Sequence, residues 1–213
     1  MSKFRVRCNA CQKNFCTKCQ TEPYHVGKTC EQFKEFKEAR KCRFCLTKMK
    51  GASASLKPAF ANVCRNDECI EKMNMSCDKM LPCGHPCCGS KDEAVCMPCL
   101  EPECVEKNPE LTRGKNADDY CIICYTSGLG EAPCVKLDCN HIFHVSCILK
   151  KIKNRWPGPR IVFSYLECPE CKGRISAPHC GPVADELASS QKIEDDVMKK
   201  VVERAKYEGI DKH

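Results

Sequence analysis

Cys121-x2-Cys124-x14-Cys139-x-His141-x2-His144-x2-Cys147-x20-Cys168-x2-Cys171 constrains this chain more than any other feature. The stretch holds eight soft ligands in four pairs, each spaced so that two side chains can reach one ion. Zinc takes four Cys or His ligands in a tetrahedron, so eight ligands imply two ions. Pairs of the same kind recur along the chain, which has 24 Cys and 6 His among 213 residues. Such a density means disulfides or metal. Closely spaced Cys with interleaved His suits zinc, and free thiols imply a reducing compartment, the cytosol or the nucleus. Met1-Ser-Lys-Phe-Arg leads into no apolar run of the kind a secretory leader needs. No stretch approaches the roughly 18 apolar residues of a membrane span.

Aromatic residues make up 7% of the chain and charged residues 30%. Cores built from such a sequence are small. The expected fold class is therefore a tandem of small zinc-stabilised α+β modules plus a C-terminal helix, with some five or six structural ions supplying much of the folding free energy. The formal net charge of +7 overstates the real one. A zinc held by four thiolates carries about −2, and one held by three thiolates and a His about −1. The basic count is thus a poor argument for nucleic acid.

The first module spans residues 4–45. Its ligands are Cys8, Cys11, Cys16, Cys19, His25, Cys30, Cys42 and Cys45. A simple partition puts Cys16, Cys19, His25 and Cys30 on one ion and closes Cys8, Cys11, Cys42 and Cys45 around a second. Phe33 and Phe36 fall on one face of a helix-like stretch and could cover the sites. Residues 46–63, rich in Ser, Ala, Lys and Gly, read as a linker. The second module, 64–104, offers Cys64, Cys69, Cys77, Cys83, His85, Cys87, Cys96, Cys99 and Cys104. Cys88 is a further thiol there, with a spacing less suited to a Cys-x-His-x-Cys set than that of Cys87. These shells cannot be partitioned from spacing. Residues 105–119 form a second polar linker, residues 120–178 the third module, and 185–208 a helix. Leu187, Ile193, Val197, Val201, Val202 and Ala205 mark that helix's apolar stripe, and Gly209 its stop.

The run FCTKCQTEPYHVGKTCEQF resembles the second half of an in-between-RING (IBR) domain, and LPCGHPCCG…CMPCL…C is similar to the Cys-rich repeats of X-box-binding nuclear factors. The order of pairs in 120–178 is that of a RING finger. This resemblance implies a cross-brace: Cys121, Cys124, His144 and Cys147 on one ion, with Cys139, His141, Cys168 and Cys171 on the other. In RING fingers the zinc is structural and function lies on the surface. The resemblance gives Ile123, Trp156 and Pro169 to an apolar groove for a ubiquitin-conjugating enzyme. It gives the place after the last ligand, often an Arg, to Lys172. Lys lacks the planar fork of Arg and is the weaker multi-point donor.

DDYCIICYTSGLGEAPCVKLDCNHIFHVSC, NRWPGPRIVFSYLECPECKGRI and the helix ending KYEGIDKH resemble the C-terminal RING region of the Highwire/PAM/Phr family over about residues 77–210. The resemblance implies an E3 ubiquitin ligase of the RING-Cys-relay kind. In that mechanism ubiquitin passes from the conjugating enzyme to a tandem-cysteine domain, then to a hydroxyl. Those relay cysteines have no matching positions here. A fragment of a longer chain and a plain RING ligase both remain open. Among thiols left over after ligands are allotted, Cys180, beside His179 and outside the RING, is the candidate nucleophile, and Cys134 reads as packing. The expected partners are a ubiquitin-charged conjugating enzyme and a protein substrate, with no membrane and no nucleic acid. Two other readings compete: a zinc-rich nucleic-acid-binding protein, suggested by Lys150-Lys151-Ile152-Lys153, and a non-catalytic scaffold.

Overall fold

A computed structural model describes residues 4–8, 14–22, 24–27, 29–49, 51–91, 93–156 and 158–210; of 35–38 it describes the backbone alone. Regular structure is sparse. Strands β1 (Arg5–Arg7) and β2 (Asn14–Cys16) pair antiparallel, with Val6 opposite Phe15. Helix α1 (Cys30–Glu38) follows, started by a capping box: the Gln32 amide donates to Thr29 Oγ1 at 3.1 Å, and the Thr29 amide to Gln32 Oε1 at 2.9 Å. Helix α2 (Asp67–Met75) is capped by Asn66, whose Oδ1 accepts from the Glu68 amide at 3.0 Å. Asp67 and Glu68 in its first turn oppose the positive end of the helix dipole. Helix α3 (Pro102–Lys107) is a single turn and a half begun by proline.

The second half of the chain is better packed. Strands β3 (Cys134–Lys136) and β4 (Ile142–His144) form a hairpin with Val135 opposite Phe143. Helix α4 (Val145–Asn154) leaves β4 directly and buries Ile148 and Ile152, one turn apart, on one face. Helix α5 (Gly181–Glu208) starts with Pro182 in its first turn and ends at Gly209, whose left-handed φ of 70° closes the last turn. It packs its N-terminal half on α4 through Val183 and Leu187. Arg174 ties its middle down: Nη1 donates to Glu194 Oε1 at 3.0 Å, and the other nitrogen reaches Glu194 and Gln191. The C-terminal half carries Val201 and Val202 about half exposed.

Two cores result. The smaller holds Cys42, Phe44, Ala59, Phe60, Val63 and Cys69. The larger runs from Cys77 to Val183 and contains Leu100, Leu129, Leu137, Phe143, Ile148, Leu166 and Ile175. Neither stretch expected as a linker is free. Within 46–63 a 3-10 turn (Pro58–Phe60) buries Ala59 and Phe60, and Val63 is wholly enclosed. Within 105–119 Thr112 is buried, and the Ala117 amide donates to Leu100 O at 2.8 Å. A polar composition hid a few well-placed apolar residues. The final helix begins at Gly181, four residues before the expected start, because Pro182 favours a first turn. Among the described residues, no helix is long and apolar enough to cross a membrane.

Candidate metal centres

Among the described residues, Cys and His side chains gather into several groups that could hold a metal ion, five of them complete sets of four: Cys16, Cys19, His25 and Cys30; Cys42, Cys45, Cys64 and Cys69; Cys83, His85, Cys99 and Cys104; Cys121, Cys124, His144 and Cys147; Cys139, His141, Cys168 and Cys171. Four ligands at ~2.3 Å from a common centre sit ~3.8 Å apart at the corners of a tetrahedron, a little less where one is nitrogen. Cys16 and Cys30 are 3.7 Å apart, as are Cys45 and Cys64, and Cys42 and Cys69 are separated by 3.8 Å. Sulfur-to-nitrogen contacts run from 3.2 Å (Cys19 to His25) to 3.7 Å (Cys124 to His144). Disulfides would need sulfurs ~2.05 Å apart; these thiols are free. The donor sets and spacings fit tetrahedral ions of soft preference.

Protonation makes the same point. Within the first group the Thr21 hydroxyl holds the Cys19 thiol down to about 6, while burial and neighbouring Cys19 push Cys30 up to about 11. In the fourth group the Cys121–Cys147 hydrogen bond drives Cys121 far down and Cys147 well up. Within each of these two groups at least one thiol is held down and another is pushed up, so the thiols do not all ionise together unaided. Four donors can bind together only around a cation that offsets their repulsion.

Two recurring local turns build the groups, one or both in each. After each of four C-x2-C pairs the next residue is left-handed: Gln20 (φ 55°), Leu46 (φ 56°), Tyr125 (φ 53°) and Lys172 (φ 60°). Its amide returns to the carbonyl of the first cysteine, at 2.7 Å in Gln20 to Cys16, 2.9 Å in Leu46 to Cys42 and Tyr125 to Cys121, and 3.0 Å in Lys172 to Cys168. That reversal brings both sulfurs to one side. The second turn is Leu-x-Cys-x-His, present as Leu81–His85 and Leu137–His141. In both copies the residue between Cys and His is left-handed, Gly84 (φ 82°) and Asn140 (φ 64°), types that tolerate it. The Leu amide donates to the His carbonyl at 2.8 and 2.9 Å respectively. This repeat is not among the sequence expectations, although both five-residue copies stand in the sequence.

The histidines are oriented from behind. His144 turns Nδ1 to Cys124 and Cys147, both at 3.7 Å, and its Nε2 lies 2.9 Å from Gly128 O. His141 turns Nδ1 to Cys139 and Cys168, with Nε2 3.5 Å from Glu170 Oε2. Such outer partners fix ring orientation and raise ligand basicity. His25 is clasped between Tyr24 and Phe33, each ring centroid 5.0 Å away. The side chain of Phe36 lies outside the described residues.

The expected shells are partly rearranged. Cys42 and Cys45 meet Cys64 and Cys69, whereas the simple partition gave them Cys8 and Cys11. The 3-10 turn at Pro58–Phe60 carries the chain back to them. Cys8 is half-buried, and Cys11 lies outside the described residues. Cys64 and Cys69 therefore leave the middle group, which keeps Cys83, His85, Cys99 and Cys104. Cys77 and Cys96 stand 3.9 Å apart, with Cys87 interacting with both. Cys180 is fully buried against Ser90 Oγ at 3.5 Å, which removes the exposure a nucleophile needs. Cys134 is also fully buried; burial raises its thiol, which donates to Leu129 O at 3.0 Å. Ile123 and Trp156 are half-buried against the larger core, Trp156 edge-on to Phe163 at 6.4 Å. Pro169 is half-buried, and exposed Lys172 donates to its carbonyl at 3.1 Å.

No family model matches the chain. Among curated proteins, the zebrafish (Danio rerio) E3 ubiquitin-protein ligase MYCBP2 is 40% identical over 171 residues, covering 80% of this chain. The Drosophila melanogaster E3 ubiquitin-protein ligase highwire is 38% identical over 177 residues, again 80% of this chain. The chain carries a Highwire/MYCBP2-family region. It spans only 4% and 3% of the length of those two relatives. What the Highwire/MYCBP2 likeness shows is homology to a part of proteins named as E3 ubiquitin ligases.

Proposed function

We propose that residues 120–178 form a zinc-bound RING finger through which the chain recruits a ubiquitin-charged conjugating enzyme and promotes ubiquitin transfer to a protein substrate, as an E3 ligase. The observation that carries this reading is the interleaving of the fourth and fifth ligand groups. Their ligands alternate along the sequence by pairs, so neither ion's shell can form without threading the other's. Homology to two E3 ligases over 80% of the chain supports the same reading. The ions have closed shells and would be structural. Ile123, Trp156 and Pro169 would offer the apolar contact, with Trp156 the energetic centre because a partly exposed Trp in an aromatic cluster is a common hot spot. Lys172 would bridge conjugating enzyme and ubiquitin. The IBR-like and X-box-factor-like modules would recruit substrate or orient the complex. A reducing compartment, cytosol or nucleus, suits so many free thiols.

The test is discharge of thioester-charged conjugating enzyme by the zinc-loaded wild type and by Ile123→Ala, with free lysine and free threonine as acceptors. Discharge to lysine that the variant loses is the expected result. Binding without discharge would make the chain the recruiting part of a larger relay enzyme. No discharge with any member of a broad enzyme panel would sink the proposal.

A further inference from the structure

Between the middle group and the final helix lies a cluster that the five groups do not use. Cys77 and Cys87 are buried and Cys96 half-buried. The Cys77 and Cys96 sulfurs are 3.9 Å apart, the edge of a thiolate tetrahedron. The Gly89 amide donates to Cys87 Sγ at 3.3 Å, the kind of contact that steadies a thiolate. Three sulfurs leave one corner open.

Glu93 stands beside that cluster. It is 5% exposed, and neither carboxylate oxygen has a hydrogen-bond partner. Backbone from Ser90 and Met97 lies near, without closing a bond. A buried, unpaired carboxylate is costly unless it is neutralised or bound to a cation. Gly89 shows where it points. A Cβ at that position would lie 2.0 Å from Glu93 Oε2 and 3.3 Å from Cys87 Sγ. The carboxylate and the sulfur thus border the same point, and only glycine leaves room for both. We propose that Cys77, Cys87, Cys96 and Glu93 form a sixth metal site, of three sulfurs and one oxygen, suited to zinc.

Such a site would sit on a seam. Glu93 pairs with Cys180 in an antiparallel bridge, and the Ala94 amide donates to His179 O at 3.0 Å. Gly89 pairs with Cys134, whose amide donates to Cys88 O at 2.8 Å. The ligand-bearing loop therefore touches both the β3 edge and the start of α5. The ion would hold the middle segment to the third module whatever the activity of the whole.

Native mass spectrometry of the full chain counts the ions. Six zinc ions are expected in the wild type, the five groups plus this one; a maximum of five overturns the proposal. Glu93→Gln removes the anionic donor and should lose one ion, or release it to chelator at least ~10-fold more readily. Glu93→His restores a donor and should recover it. Unchanged stoichiometry and release in Glu93→Gln would overturn the assignment. If both variants misfold, cadmium-113 NMR of the loaded wild type decides. One resonance of three-sulfur, one-oxygen character is expected beside a single four-sulfur resonance from Cys42, Cys45, Cys64 and Cys69. A second four-sulfur resonance, or no oxygen-bearing one, rules Glu93 out.

Discussion

Replacing Cys64 by Ser tests the least obvious grouping in the molecule. Cys64 Sγ lies 3.7 Å from Cys45 Sγ, and the Cys64 amide donates to Cys42 Sγ at 3.4 Å. Serine keeps the size and removes the thiolate. A structural zinc contributes ~10–16 kcal/mol in small modules at neutral pH. The apolar support around this ion is slight: Phe44, Phe60 and Val63 are its larger buried side chains besides the ligands. At ~1.5–3 kcal/mol each they cannot substitute for the ion. Cys64→Ser should therefore lose one zinc by native mass spectrometry and unfold this segment locally. The amides to watch are Arg43, which donates to Asn62 O at 2.7 Å, and Ala54, which donates to Val63 O at 2.8 Å. Both should lose hydrogen-exchange protection, while β3, β4 and α4 keep theirs. The opposite pattern would refute the reasoning: Cys8→Ser loses the ion shared by Cys42 and Cys45, and Cys64→Ser keeps it with both amides protected.

Three further outcomes are expected. Phe143→Ala, which empties a wholly buried position between ligands His141 and His144, should cost about 3–5 kcal/mol in urea melts and weaken both ions of the third module. Lys172→Arg should raise lysine discharge by up to ~10-fold if the residue bridges enzyme and ubiquitin, since one added charge-assisted hydrogen bond is worth ~1.5 kcal/mol; an unchanged rate would remove Lys172 from that role. Cys180 should resist maleimide in the loaded protein and react only after chelation, as read by peptide mass mapping; fast labelling of native protein would contradict its burial.

How far the sequence carried depends on what decides each shell. Between Cys121 and Cys171 the family pattern fixes which pairs meet, and the structure brings those residues together. Around Cys42 and Cys45, spacing offers Cys8 with Cys11 and Cys64 with Cys69 on nearly equal terms. The choice is made by tertiary return of the chain at Pro58–Phe60, which no local spacing encodes. Residues 46–63 looked like a linker because Ser, Lys and Gly outnumber Ala59, Phe60 and Val63, yet three enclosed side chains suffice beside an ion. Glu93 gives no signal in the sequence, because an acidic residue in a polar run reads as solvated; its burial comes from the fold, which brings Gly89 against it. The Leu-x-Cys-x-His repeat was readable throughout, for a reason internal to the turn: the residue before His must tolerate positive φ.

The left-handed residue behind four of the C-x2-C pairs has an evolutionary consequence. Gln20, Leu46, Tyr125 and Lys172 are all exposed, so their chemistry faces whatever the chain meets. Their backbone shape, however, is fixed by the need to aim two sulfurs. Selection at these four places is then free over charge and size but closed to proline and, in large part, to β-branched side chains. A lineage can change what such a position recognises without disturbing the ion behind it. Variation there is a record of partners, and the absence of Val, Ile and Thr in relatives would be a record of geometry.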